Sequence, residues 1–248
     1  MSVEIIKVAA YLGAGISVGI ASISAGIGEG YAAGHAAGSL MKQPKAADDL
    51  LKSMLVSQAV TETGAIFSLV VSLLLIFGGL MVPAGGLFKA AALLGAGFAI
   101  GLGTIGPGFG AGYVGGQACK SIGRMPKEST TITASMLIGQ ALAQTSSIFA
   151  LVVSLLLLYS TPNQPENASV AIIILKMSAY LASGLVIGLG TIGPGTGIGI
   201  VGGRANDMMG RFPKQRALIT RTMFLGAAVS ESTAIYALVV AFLLMFVL

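Results

Sequence analysis

Charge is what this sequence has least of. Asp, Glu, Lys and Arg together make up 9% of 248 residues, against roughly 25% in ordinary soluble domains. So low a share excludes an ordinary water-facing surface. The charge that remains nets +5, but it is segregated by position along the chain, so it is not read as a nucleic-acid-binding face. The single Cys119 excludes an intramolecular disulfide. In place of charge, hydrophobic residues fill 55% of the chain, and 36 are glycine, about twice the usual share of ~7%. Few charges, much glycine and long apolar runs describe an all-α membrane protein. Six runs reach the ~20 residues that a spanning helix needs, near 5–38, 53–80, 87–119, 131–160, 169–204 and 218–248. The first carries Glu4 ahead of Lys7 and runs far beyond the about 7–15 apolar residues of a secretory signal. It is read as a retained helix.

The chain says the same thing three times. VSQAVTETGAIFSLVVSLLLIF (56–77), IGQALAQTSSIFALVVSLLLLY (138–159) and LGAAVSESTAIYALVVAFLLMF (225–246) align without a gap. Upstream, GIGEGYAAG (26–34), GFGAGYVGG (108–116) and GTGIGIVGG (195–203) correspond. Between them lie LMKQPKA, IGRMPKE and MGRFPKQ, whose Pro44, Pro126 and Pro213 stand 82 and 87 residues apart. The extra residues fit the polar linker 161–168. Three tandem transmembrane helical hairpins follow, bounded near 1–80, 81–162 and 163–248, each too small to bury its own faces.

Orientation follows from Lys and Arg near the helix ends. The three hairpin connections hold Lys42, Lys45, Lys52, Lys120, Arg124, Lys127, Arg204, Arg211, Lys214, Arg216 and Arg221, while the opposite side holds Lys7, Lys89 and Lys176. This asymmetry predicts cytoplasmic loops and both termini outside. Within each hairpin the first helix is the glycine-rich one, and glycines at spacings of four and two thin more than one face. That suits an inner helix crowded on both sides, as on the inside of a ring. The second helices carry Leu, Val, Ile and Phe, which suits an outer, lipid-facing rank. Gly101-Leu-Gly103-Thr-Ile-Gly106 and Gly188-Leu-Gly190-Thr-Ile-Gly193 spell a dinucleotide-binding pattern. It works only between a strand and a helix, so here it reads as close helix packing.

Three acidic residues fall inside the spans: Glu29, Glu62 and Glu231. An ionised carboxylate at a helix centre costs roughly 2.5–3.5 kcal/mol on insertion scales. Each is therefore expected to carry a proton or to pair with a cation, which is what an ion-carrying site requires. Glu62, Gln144 and Glu231 share one frame position. Glu29 lies 33 residues before Glu62, as Ala111 lies before Gln144 and Ile198 before Glu231. Measured from Pro44 along the two arms, Glu29 and Glu62 differ by ~4.5 Å of helix rise, so both carboxyls reach one level. Two carboxylates there need a proton or a cation between them. Hydroxyls follow each frame position: Thr63, Thr145 and Ser232, with Tyr236 a turn and a half beyond Glu231. They suit a hard cation such as Na⁺, or else bond the backbone or a neighbouring helix. His35, near the loop end, reads as an interfacial residue.

GIGEGYAAG, the KQP turn and QAVTETGAIFSLV together resemble the c-subunit, the rotor-ring proteolipid of F-type ATP synthases and Na⁺-translocating ATPases, in a fused triple form. The resemblance implies a homo-oligomeric ring in the inner membrane, turning against the stator a-subunit, which bears an essential arginine. It carries Na⁺ or H⁺ and no organic cofactor, and couples ion movement to ATP synthesis or hydrolysis at a catalytic head that this chain does not contain. On that pattern Glu62 and Glu231 are the ion-binding carboxylates. Thr63 and Ser232 are neighbouring hydroxyl ligands, while Glu29 and Tyr236 are further members of the ion site. Gln144, with Ala111 opposite, makes hairpin two silent. Lys42, Gln43, Pro44, Arg124, Pro126, Arg211 and Pro213 would meet the central-stalk subunits gamma and epsilon, while lipid covers the outer helices. The alternative is a secondary ion transporter or channel built on parallel repeats.

Overall fold

Three prolines turn the chain back on itself. In the computed structural model, which describes residues 2–79 and 86–247, Pro44, Pro126 and Pro213 each open a single 3₁₀ turn. The fixed φ of proline suits the first position of a helical turn, where its missing N–H goes unneeded. The residues before them, Gln43, Met125 and Phe212, have φ of −142°, −134° and −131°. That lies outside the helical region, which a following proline disfavours. The hairpin connections are accordingly shorter than the sequence suggested. Helix α1 (Ser2–Lys42) runs to within two residues of Pro44, and α2 (Ala47–Thr61) starts directly after the turn. The expected hairpin boundary at 80/81 and the expected span ends at 80 and 248 lie outside the described residues.

The remaining helices are α3 (Thr63–Gly79), α4 (Gly86–Gly103), α5 (Ile105–Arg124), α6 (Ser129–Tyr159), α7 (Val170–Gly190), α8 (Ile192–Met209) and α9 (Arg216–Phe246). The breaks at Thr104 and Thr191 have a local cause. Pro107 and Pro194 lie three residues further on and have no N–H for the carbonyls of Gly103 and Gly190. The Thr191 hydroxyl approaches that freed Gly103 carbonyl at 3.3 Å. Hairpin one has Ala25 at the corresponding place, and α1 is continuous. Joined across these breaks and the one at Glu62 between α2 and α3, six helices among the described residues are long and apolar enough to cross a membrane.

Hairpin two lies between its neighbours. The first helices pack closely on one another, α1 on α4 and α5, and those on α7 and α8. Each second helix leans into the gap between its own first helix and that of the next hairpin: α2 on α5, and α6 on α8. The inner rank is close because glycine faces glycine. A Cβ at Gly112 would stand 2.2 Å from the Gly28 Cα, and one at Gly199 would stand 2.1 Å from the Gly110 Cα. The inner helix of hairpin two is accordingly 72% buried over its most apolar stretch, against 44% and 28% for those of hairpins one and three. The second helices present Ile66, Leu69, Phe77, Ile148, Val239 and Leu243 outward, as a lipid-facing rank requires.

Two apolar clusters sit at different heights. One, around Val71, Leu75, Ile100, Val153 and Leu157, fills the end away from the prolines. The other, around Leu50, Val114, Ile122, Ile132 and Met136, fills the proline end. Between them lies a band of buried small and polar side chains that includes Ser57, Thr61, Gln140, Gln144, Ser146 and Ser147. The frame position of the carboxylates falls in this band.

Candidate ion site in the mid-membrane band

The three frame positions are in three different environments. Gln144 is buried. Its amide donates to the Val60 carbonyl on the outer helix of hairpin one at 3.1 Å, and its oxygen accepts from Ser147 at 2.8 Å. An amide, unlike a carboxyl, has no acidic proton to exchange.

Glu231 is enclosed differently. The Thr145 side chain, on the outer helix of hairpin two, is the polar group that acts on its carboxyl. The Thr145 hydroxyl donates its hydrogen to the Leu142 carbonyl at 2.7 Å. Among the described residues, neither Glu231 oxygen, both closed to solvent, has a hydrogen-bond partner. Ile198, at the position Glu29 holds in hairpin one, is 2% exposed in a small apolar cluster with Ala143, Ala227 and Leu142. A carboxylate so enclosed must be neutral or matched by a cation.

Glu62 lies open. It is exposed, and helix geometry is interrupted at this residue alone of the three, although its N–H still reaches the Gln58 carbonyl at 3.0 Å. Glu29 is half-buried and within electrostatic reach of Glu62, as their matched height predicted. Thr63, which opens α3, is half-buried. Ser232 donates to the Val229 carbonyl at 2.7 Å, and Tyr236 is 65% exposed. These two hydroxyls follow Glu231 in sequence, yet neither bonds its closed-off carboxyl.

Two glutamines of the band escaped the sequence reading. Gln140 is fully buried and bridges hairpins. Its amide donates to the Ala111 carbonyl at 2.9 Å and to Ser57, at the hydroxyl (2.8 Å) and the carbonyl (3.2 Å). Gln58, one repeat earlier, donates to the Glu29 carbonyl at 3.3 Å. The available signal was QAVTE against QALAQ, four residues before the carboxylate frame, with Ala227 in the third repeat.

At the loop end, Arg124 and Arg211 converge on Asp207, at 2.6 and 3.1 Å, and the Asp207 side chain is only 3% exposed. Arg124 belongs to hairpin two and the other two residues to hairpin three, so the cluster ties these hairpins together. Lys42, at the same frame position in hairpin one, is exposed, as are Pro44, Lys45 and Lys214, while Gln43, Pro126 and Pro213 are partly exposed. His35 sits edge-on to Tyr31, ring centres 4.5 Å apart.

Comparison with known proteins matches this triple arrangement. The family described as the ATP synthase C-subunit matches residues 12–75, 94–157 and 181–244. This chain belongs to the ATP synthase c-subunit family. It is 42% identical over 83 residues to the ATP synthase c-subunit of Petrotoga mobilis, covering 34% of this chain and 86% of that one. Against the c-subunit of Thermotoga petrophila the identity is 45% over 71 residues, 29% of this chain and 84% of the relative. Against that of Natranaerobius thermophilus it is 44% over 82 residues, 33% and 94%. Each relative is thus about one hairpin long, and this c-subunit carries three.

Proposed function

We propose that this protein is the membrane rotor component of a rotary F-type ATP synthase or ATPase. It carries Na⁺ or H⁺ on Glu62 and Glu231, with Glu29 beside Glu62, and couples ion movement to ATP synthesis or hydrolysis in the catalytic head. Copies form a ring that turns against the stator a-subunit, with hairpin loops on the cytoplasmic side meeting the gamma and epsilon subunits. The chain contributes no catalytic site of its own.

One observation carries this reading. A carboxyl closed from solvent in the middle of an apolar span, without a donor, recurs in frame with a second carboxyl on an open edge. A purely structural repeat has no use for either. A parallel-repeat transporter would differentiate its helices around one central site, whereas these repeats keep one architecture and vary one position. Hairpin two, with Gln144 saturated by Val60 and Ser147, is a spacer. A full turn then moves two ions for every three hairpins, a third fewer than a fully loaded ring of the same size. Each charge moved through 100 mV costs about 2.3 kcal/mol, so ATP hydrolysis drives each ion against a steeper gradient.

Carbodiimide treatment of the assembled complex tests the proposal, because the reagent attacks protonated carboxyls in apolar surroundings. Modification at Glu231 or Glu62 with loss of ATP-coupled ion transport is expected. Full transport after stoichiometric modification of both would overturn it.

A further inference from the structure

Side-chain amides clasp four helices together at the level of Glu29 and Glu62, and Gln140 on α6 is the centre of the clasp. Its two amide hydrogens serve three acceptors. These are the Ala111 carbonyl on α5 at 2.9 Å, and the Ser57 hydroxyl and carbonyl on α2 at 2.8 and 3.2 Å. Both carbonyls need a donor, so the nitrogen end of the amide must face them. The amide oxygen is closed to solvent and has no partner among the described residues, so this glutamine carries a desolvation cost. From Ser57 the line continues through its neighbour Gln58. The Gln58 amide donates to the Glu29 carbonyl on α1 at 3.3 Å, and the Gln58 carbonyl accepts the Glu62 N–H at 3.0 Å. Thr61 completes the turn. Its hydroxyl donates to the Ser57 carbonyl at 2.8 Å, and its methyl lies 2.8 Å from the place a Gly28 Cβ would take.

The next joint has none of these groups. One repeat further on, Ser57 becomes Gly139 and Gln140 becomes Ala227, which offer neither hydroxyl nor amide. Gly139 packs against Val114 and Gly202 instead, and Ala227 clusters with Ile198 and Ala143. The difference follows the acids. Hairpin one sets Glu29 and Glu62 within electrostatic reach of each other on two helices, whereas hairpin three has Glu231 with Ile198 in the place of a second acid. Two like charges on neighbouring helices push those helices apart. An ion shared by both carboxyls is held only while both stay within its reach. A single carboxyl beside an apolar residue puts no such load on its hairpin.

On the reading of Glu29 and Glu62 as ion carriers, we propose that Gln140 is a positioning residue for their site. The hairpin without a carboxylate thus braces the hairpin with two. Gln140 acts through Ser57 and Gln58, which set the height and spacing of α2 against α1. It bonds neither carboxyl, so it governs how tightly an ion is held and not whether one can be.

Carbodiimide labelling of the assembled complex, followed at Glu62 and Glu231 by mass spectrometry, tests the brace. Labelling against sodium at neutral pH, and against pH without sodium, gives each glutamate the midpoint concentration of its ion. Gln140→Met keeps the side-chain length and removes the donors. It should raise the ion concentration at the Glu62 midpoint about tenfold, the effect of losing one hydrogen bond. The final extent of labelling and the Glu231 midpoint should stay as in the parent. Gln58→Met gives up a single long bond and should move Glu62 the same way by a smaller factor, and it serves if the Gln140 variant does not assemble. An unmoved Glu62 midpoint in either assembled variant overturns the proposal. So does an equal shift at both glutamates, which is general loosening. Labelling at neither glutamate of the parent, in any condition, would refute the ion-carrier reading itself, whereas a normal parent with unmoved variants strikes the brace alone.

Discussion

Gly30 and Gly112 hold the same place in successive repeats, and adding one methyl to each should have different consequences. At Gly112 the new Cβ would lie 2.2 Å from the Gly28 Cα, where ordinary contact begins at 3.4 Å. Backbone would have to part by the difference, 3.4 − 2.2 = 1.2 Å. Overpacking of a tight interior costs about 1–3 kcal/mol, and backbone facing backbone belongs at the upper end. Alanine returns about 1 kcal/mol of helix propensity, so Gly112→Ala should destabilise the single chain by about 2 kcal/mol. Gly30 has open space in the single chain, so Gly30→Ala should keep only the propensity gain and leave the chain as stable as before or slightly more so. Its cost appears where Gly30 meets another copy. About 2 kcal/mol at each joint weakens that joint about 30-fold, and every joint of a closed ring is affected. Unfolding of the detergent-solubilised chain and native mass spectrometry of the assembly separate the two effects. Gly30→Ala rings as abundant and heat-resistant as the parent would refute head-to-tail closure through this face. So would a loss of single-chain stability equal to that of Gly112→Ala.

Other substitutions probe the remaining parts. Asp207→Asn should cost about 2 kcal/mol in SDS-induced unfolding, less than the about 3–5 kcal/mol of breaking a fully buried ion pair, because Arg124 and Arg211 are partly exposed and can turn to water. Gln140→Ala should cost about 2–3 kcal/mol through its lost bridging hydrogen bonds and the cavity left behind, while Gln58→Ala, with one long bond, should cost less than about 1 kcal/mol. Gln144→Glu should add one titratable site per chain, and ions moved per ATP, measured in proteoliposomes, should rise by half; an unchanged ratio would refute the spacer role of hairpin two.

Much of this architecture is legible in the sequence because a repeat in a membrane leaves few choices. Backbone polar groups in lipid must be satisfied within helices, so six apolar runs become six helices. Short connections around Pro44, Pro126 and Pro213 pair them into hairpins, and glycine marks the rank that packs most closely. Period and composition are local properties, and they are read without knowing the fold. The level match of Glu29 and Glu62 was also legible, since it needs only the helix rise and a common turn.

What the tertiary structure decided is which neighbours each residue meets. Sequence places Ser232 and Tyr236 beside Glu231, yet the Ser232 hydroxyl bonds the Val229 carbonyl and Tyr236 is exposed, so neither bonds that carboxyl. Asp207 likewise stands in no motif, and only the packing of hairpin two against hairpin three brings Arg124 to it. The same packing turned Gln58 and Gln140 from background into bridges. The repetition of Glu62, Gln144 and Glu231 belongs to the sequence alone. That one is closed, one locked and one open follows from packing, because Gln144 and Glu231 each meet the outer helix of the preceding hairpin while Glu62 is exposed.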